Sequence, residues 1–325
     1  MLEFNADFGY IAGVDLGGTS IRLALADLNG RIIARWNVST HGHRTPDKIV
    51  TLIQQGLRRL LTQNKLPHSR LLALGVGAPG ITDVRAGVVL SAPHLSNWQN
   101  VPLRELLENK LRTAVIIEND VNTAALGESW CGSAKGVSNF VFLAIGAGIG
   151  AGIYINHNLY HGSDWTAGEV GYLLVPGTSL SPVAMDKPGA LENAISGPAI
   201  EQTWRKMCVS SRESANSHLK ATEIFELAEA GDARAHKLLE FTAQTLANAV
   251  SNISLLLNTS LVVLGGAIGT SGPLFQATRR LLARNDFARP HLAISLLKED
   301  AQLFGALGLA LEHVEANVLG VRSGR

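Results

Sequence analysis

Two stretches of the chain carry the same pattern: an apolar run, a tight glycine turn and a second apolar run. One spans Ile11 to Leu25 around Gly17 and Gly18; the other spans Val141 to Ile155 around Gly146, Gly148 and Gly150. Short apolar runs bounded by glycine read as buried strands. Residues 10–38 predict three strands, with Asp27-Leu28-Asn29-Gly30 as the hairpin turn between the second and third. From Asp47 to Asn64 the period changes. Ile49, Leu52, Ile53, Leu57, Leu60 and Leu61 recur at helical spacing and predict one apolar helix face.

Leu72–Val76, Val88–Leu90 and Ala114–Ile117 then read as strands, and Leu103–Leu111 and Asn122–Cys131 as helices. Gly77 to Gly80 reads as a loop. The second half repeats the opening order, with strands near 139–145 and 150–155. Helices follow at about 190–206, 221–231 and 233–258. Leu261–Leu264 is a buried strand ending at Gly265 and Gly266. Pro273–Arg284 predicts a helix, Ala293–Leu297 a strand and Gly305–Ala316 a helix; residues 177–189 are the longest irregular stretch.

Phe140 to Tyr160 lacks Asp, Glu, Lys and Arg and carries glycines four apart, which admits a transmembrane helix as a competing reading. Glycine at every second position and the turn signal Asn156-His157-Asn158 favour two strands instead. A strand–turn–strand unit that occurs twice among mixed strands and helices predicts a two-lobed α/β protein with a cleft between its lobes.

Composition narrows the class. The 325 residues suffice for two domains and a large core, and 46% hydrophobic with 17% charged residues marks a globular chain. A net charge of +1 without blocks of one sign offers nucleic acid no electrostatic footprint. Two cysteines, Cys131 and Cys208, point to a reduced cytoplasm rather than a disulfide framework. The opening residues include Glu3 and Asp7 and no basic cluster, unlike a signal peptide.

The candidate chemistry sits at the turns. Glycines at Gly17 and Gly18 let backbone amides approach a phosphate, Thr19 offers a hydroxyl, and Asp15 offers a carboxylate to a magnesium-bound water. A plain β-turn with a capping aspartate explains the same residues. Gly146, Ala147, Gly148 and Gly150 form a second phosphate-facing hairpin or a hairpin shaped only for packing. A strand follows it rather than a helix, so it is no dinucleotide fingerprint. Glu118-Asn119-Asp120 closes a strand just before a helix. A carboxylate there is favoured in its charged form by the helix and could accept a proton from an attacking hydroxyl. Equally, Asn or Asp at that place is a helix cap. Glu169, Tyr172 and Glu192 add two carboxylates and a phenol suited to sugar hydroxyls, or else a surface glutamate pair and a core tyrosine. His41, His43, His157 and His161 are too sparse for a metal site, and the last two read as polar loop residues.

Together these segments resemble the ROK family of sugar kinases and sugar-responsive repressors. The likeness runs from Gly13 to about Leu311. It is carried by Asp15–Thr19, Gly75–Gly80, Glu118–Asn122, Gly146–Gly150, Ala167–Gly171 and Leu264–Gly266. The resemblance implies the actin-like, hexokinase-like ATPase fold, with duplicated ribonuclease H-like domains and an interlobe cleft. Residues 1–121 would form the N-terminal lobe, completed by a C-terminal helix over 306–325, and residues 122–305 the larger C-terminal lobe. Asp120 would be the general base, with Gly80, Asn119, Glu169, Tyr172 and Glu192 around a hexose. Asp15, Gly17, Gly18, Thr19, Gly146, Ala147, Gly148 and Gly150 would surround the phosphates of ATP and magnesium. Gly265 and Gly266 would approach the adenosine. A cytoplasmic enzyme without nucleic-acid or membrane partners is implied, with a homodimer among the states the family adopts.

This chain departs from the family pattern in three places. Tyr172 stands where the family usually has His. Val183, Met185 and Ala190 fall in a stretch that elsewhere holds three zinc-binding cysteines, so no structural zinc is expected. Ala147 replaces a usual Thr. Repressor members carry an N-terminal helix-turn-helix, and none is expected in this sequence, where only about ten residues precede the first strand. The expected activity is phosphorylation of a hexose by ATP. The alternative is a catalytically weak protein that keeps the fold for sugar binding or regulation.

Overall fold

The computed structural model describes residues 6–92, 95–178, 187–210, 218–284, 286–287 and 289–317. It divides into two compact units. The first takes residues 1–136, 161–167 and 300–325; the second takes 137–160 and 168–299. The boundary therefore falls after Gly136, not after Val121 as the sequence suggests, because the helix that follows Asn119 packs within the first unit.

The first unit opens with the expected meander, β1 (Tyr10–Leu16), β2 (Ser20–Asp27) and β3 (Ile32–Ser39). Helix α1 (Pro46–Gln63) follows, then β4 (Leu71–Ala78). Three short strands, β5 (Ile81–Asp83), β6 (Val88–Ser91) and β7 (Gln99–Val101), make a small separate sheet. Only β6 is legible as an apolar run. Helix α2 (Leu103–Leu111), β8 (Ala114–Asn119) and α3 (Asp120–Cys131) complete this part. The main sheet runs β3-β2-β1-β4-β8, antiparallel through the meander and parallel from β1 to β8.

The second unit repeats that plan. Strands β9 (Phe140–Ile145), β10 (Ile149–Ile155) and β11 (Asn158–Leu159) form an antiparallel meander. Asn156 and His157 link β10 to β11 with φ of 52° and 63°, the left-handed values a two-residue hairpin turn demands. The segment read as a competing membrane helix is therefore made of strands, β9 to β11. Among the described residues no helix is long and apolar enough to cross a membrane.

Next come α4 (Ala190–Ile195) and α5 (Gly197–Ser210). These are two helices where one is expected, because the extended Ser196 interrupts the spiral just ahead of Gly197 and Pro198. Helices α6 (Ala221–Glu229) and α7 (Ala233–Leu257) follow, then β12 (Leu261–Gly265), the four-residue α8 (Gly266–Gly269) and α9 (Gly272–Leu282). Strand β13 (His291–Ile294) lies two to three residues earlier than its apolar run suggests. Its parallel pairing with β12, Leu261 opposite His291 and Leu264 opposite Ile294, fixes that register. The sheet order is β11-β10-β9-β12-β13, the same antiparallel-then-parallel plan.

Helix α10 (Ala301–Asn317) returns to the first unit. It starts four residues before Gly305, which reads from sequence as its beginning. Gly305 is instead interior, because a Cβ there would lie 1.7 Å from the Thr123 carbonyl of α3. Across the sheet, a Cβ on Gly75 of β4 would lie 1.9 Å from the Ala306 carbonyl. These two glycines let backbones meet where no side chain fits.

Candidate active site

In the first unit the candidate residues gather at the ends of β1, β4 and β8. Gly17 donates to the Ser20 carbonyl at 2.9 Å, closing the first glycine turn. The Gly18 and Thr19 carbonyls are taken by Thr40, through its hydroxyl at 2.9 Å and its amide at 3.0 Å. The amides of Gly18 and Thr19 donate to nothing among the described residues. The Gly17 amide and the Gly18 and Thr19 carbonyls fasten the turn, which leaves the Gly18 and Thr19 N–H groups for an anion.

Asp15 is 6% exposed and faces its cross-strand neighbour Arg22, whose Nε donates to Oδ2 at 2.7 Å. Arg22 also lies 3.7 Å from Asp300, which Arg35 grips through both carboxylate oxygens at 2.8 and 2.9 Å. Burial pushes the Asp15 carboxyl up from its ordinary value, and Arg22 pulls the other way. Oδ2 is thus committed to Arg22, while no described group donates to Oδ1. One such oxygen fits a magnesium ion that keeps most of its waters and takes its other ligands from phosphate.

At the junction of β8 and α3 the cap is assigned to one residue. Asn119 is the N-cap: its side-chain oxygen accepts from Val121 at 2.9 Å and Asn122 at 3.0 Å. Its amide nitrogen donates to the Gly80 carbonyl at 2.9 Å, which brings two expected sugar-binding residues together. Gly80 has φ of 83°, and a Cβ there would lie 2.0 Å from the Ser91 carbonyl. Asp120 is the first helical residue, half-buried, with Oδ1 accepting from Val121 at 2.9 Å.

Sequence reasoning missed two residues beside it. Glu118 is 4% exposed, and its Oε1 accepts from the Asn119 amide at 2.9 Å and the Asn122 side chain at 3.0 Å. Its Oε2 lies 2.8 Å from Nε2 of His161. His161 is thus no free polar loop residue. Its hydrogen bond to Glu118 raises its pKa above 6.5, against burial and the positive charge of Arg85. No local signal joins two residues 43 apart in sequence; the pairing exists only once the fold forms.

In the second unit, the hairpin Gly146–Gly148 is closed by Gly146 donating to Gly148 at 2.9 Å, and Gly197 of α5 donates to the Gly146 carbonyl at 2.8 Å. Ala147 is exposed at the apex, and Gly150 lies within β10. Glu192 of α4 accepts from the Ile149 amide at 2.9 Å, tying the hairpin to α4. Glu169 lies near enough for its pKa to be raised, first by burial and then by the charge of Glu192. No hydrogen bond reaches its carboxyl among the described residues. Tyr172, 37% exposed, donates its hydroxyl to the Lys187 carbonyl at 3.0 Å. Gly265 and Gly266 have a packing role: a Cβ on the first would lie 2.2 Å from the Phe142 ring, and one on the second 2.4 Å from the Ile145 carbonyl. Val183 and Met185 lie outside the described residues. Among the described residues no group of three or more His, Cys, Asp or Glu side chains is placed to hold a metal ion.

The ROK family profile matches residues 11–313. A glucokinase from Halalkalibacterium halodurans is 32% identical over 270 residues, covering 81% of this chain and 82% of the relative. A xylose repressor from Caldicellulosiruptor bescii is 28% identical over 322 residues, covering 96% of this chain and 80% of the relative. Among solved structures, a ROK family glucokinase from Streptomyces griseus in complex with glucose and AMPPNP superposes with a TM-score of 0.78. Its identity is 27%, over 94% of this chain and 100% of the other. The fold is the actin-like, hexokinase-like one that the repeated sheet plan calls for, and the chain belongs to the ROK family.

Proposed function

We propose that this chain is an ATP-dependent sugar kinase that phosphorylates a hexose, with Asp120 as general base. The observation that carries the reading is the division of labour at the β8–α3 junction. Asn119 caps the helix, so Asp120 is not needed for that task and is held at the positive end of α3. Support also comes from the glucokinases among the relatives and from the glucose and AMPPNP held by the Streptomyces griseus protein.

The chemistry follows from the side chains. A sugar hydroxyl bonded to the Asp120 carboxylate gives up its proton as its oxygen attacks the terminal phosphorus of ATP. The new O–P bond forms as the bridging P–O bond breaks, and that electron pair leaves on ADP. Phosphoryl transfer asks mainly for positioning and charge stabilisation, so a weakly basic carboxylate suffices. Glu169 and Glu192 accept hydrogen bonds from sugar hydroxyls, with Gly80, Asn119 and Tyr172 as further contacts. The amides of Gly18, Thr19, Ala147 and Gly148 face phosphate oxygens. Magnesium, when bound near Asp15, neutralises phosphate charge.

A second reading, a catalytically weak sugar-responsive protein, is favoured by Ala147 and Tyr172 at family positions and by relatives named as xylose repressors. A coupled ADP-release assay over a panel of hexoses, with magnesium and purified protein, decides between them. Sugar-dependent ADP release supports the kinase. Hexose binding without turnover supports the second reading.

A further inference from the structure

The proposed base sits on a junction that is held from behind. Glu118 places three donors around a carboxylate that is almost wholly buried: the Asn119 amide, the Asn122 side chain and Nε2 of His161. The first two belong to the cap and the third residue of α3, on either side of Asp120. A buried carboxylate is tolerable only when it is hydrogen-bonded and its charge is answered. His161 is the group that answers it, at 2.8 Å.

His161 is itself held by a strained neighbour. Trp165 has φ of 61°, a left-handed conformation that bulky side chains rarely adopt. Its ring meets the His161 imidazole edge-on at 5.4 Å, and the Arg85 guanidinium lies 5.7 Å from its centroid. Strain of this kind persists where the surroundings over-determine it, and it concentrates at functional sites. The segment 161–167 belongs to the first unit although the chain on both sides of it belongs to the second. The excursion delivers one cation-capable ring to one buried carboxylate.

We propose that His161 and Glu118 form a positioning pair, in which the imidazole holds the Glu118 carboxylate and Glu118 holds the strand–helix junction that presents Asp120 to the sugar hydroxyl. This role rests on the kinase reading. Neither residue touches substrate in it; both act through the geometry of Asp120. If the pair loosens, Asn119 loses its amide partner, the first turn of α3 shifts, and the base moves relative to the hydroxyl. Displacements near 1 Å at a reacting pair cost up to about 100-fold in rate.

Two conservative variants separate positioning from simple anchoring. His161→Gln puts an amide nitrogen about where Nε2 lies and keeps a donor to Glu118. His161→Asn is as polar but too short to reach Oε2. The measurements are kcat, KM for hexose, KM for ATP and melting temperature, on wild type and both variants. The expected result is kcat lowered on the order of 10- to 100-fold in His161→Asn, with KM for ATP within about threefold. His161→Gln should recover most of the wild-type kcat. Should His161→Asn lose melting temperature yet keep its kcat, the pair merely ties down a loop and the proposal fails. It also fails if His161→Gln falls as far as His161→Asn, since the donor to Glu118 would then not be what matters. A wild-type protein inactive on every hexose overturns the kinase reading, and this role with it. An active wild type with an unaffected His161→Asn overturns the role alone.

Discussion

Asn119 caps α3, and the base role proposed for its neighbour Asp120 is testable one atom at a time. Asp120→Asn keeps shape and hydrogen bonding but cannot accept a proton. General-base catalysis contributes about 10²–10⁴-fold, so kcat should fall by that factor while hexose binding stays measurable by calorimetry. Near wild-type turnover would make Asp120 a bystander at the helix start. His161 supports a second prediction, about pH. Its hydrogen bond to Glu118 raises its pKa in the folded state above the ordinary 6.5. The sign follows by linkage: the stabilisation is fully present below about pH 6.5 and is lost as pH rises through the raised value. The melting-temperature advantage of wild type over His161→Gln should therefore shrink above pH 6.5. An advantage that grows with pH would show that the imidazole is not the protonated partner of Glu118. At this scale the sequence was informative where chemistry is local. Asp15, Asn119 and Asp120 stand out beside glycine turns and a strand end. His161 and Glu118 do not, because their pairing spans 43 residues and leaves no periodic trace.

Among the elements, apolar runs located the strands well and glycines misled about the helices. Strands β1, β2, β9 and β10 begin and end within a residue or two of where their hydrophobic pattern does. Strands β5 and β7 were illegible, since three residues each are too few for a pattern. Gly305 looked like the start of a helix but sits inside α10, because α3 comes too close for a Cβ. The same close approach makes Gly75→Ala a sharp test. Its Cβ would lie 1.9 Å from the Ala306 backbone oxygen, and such overpacking costs typically about 1–3 kcal/mol. Denaturant titration should place Gly75→Ala at or beyond the upper end of that range. Gly272→Ala, with no atom within 4 Å of its Cβ, should be near neutral. The hairpin between β9 and β10 allows a gain instead. Ala147 is exposed at the apex and is not among the residues with positive φ, so a β-branched residue is sterically admissible there. Ala147→Thr should add a hydroxyl bond to a charged phosphate, worth about 1.5–3 kcal/mol, or roughly 10- to 150-fold in rate. The measurement is kcat/KM for ATP at saturating hexose. A fall with an unchanged melting temperature would mean that position 147 does not face the phosphates.

For the whole molecule, the duplicated pattern read from two glycine turns corresponds to two sheets with one plan, β3-β2-β1-β4-β8 and β11-β10-β9-β12-β13. A pattern of buried runs shows such a repeat. It cannot show where one unit stops, because the packing of α3 against α10 depends on residues far apart in sequence, such as Thr123 and Gly305. Metal content is the remaining property of the chain as a whole, and it can be argued from what joins residues 170–173 to 187–191. Here Tyr172 donates to the Lys187 carbonyl, and Leu191 donates through its amide to the Leu173 carbonyl at 3.1 Å. Gly189 packs so closely that a Cβ would lie 2.3 Å from the Gly171 carbonyl, and Leu191 is buried beneath. Hydrogen bonds and packing connect these segments directly. The chain's two cysteines lie elsewhere, Cys131 in α3 and Cys208 in the core of the second unit. A structural zinc contributes about 10–16 kcal/mol in finger-sized peptides, so stripping one would be unmistakable. Elemental analysis should find no stoichiometric zinc, and a chelator should leave the melting temperature where it was. One tightly held zinc per chain would overturn this account. Tyr172→Phe should instead lower stability by about 1 kcal/mol, the worth of one hydrogen bond. A loss several times larger would mean that Tyr172 anchors far more of the segment than its hydroxyl bond to the Lys187 carbonyl accounts for.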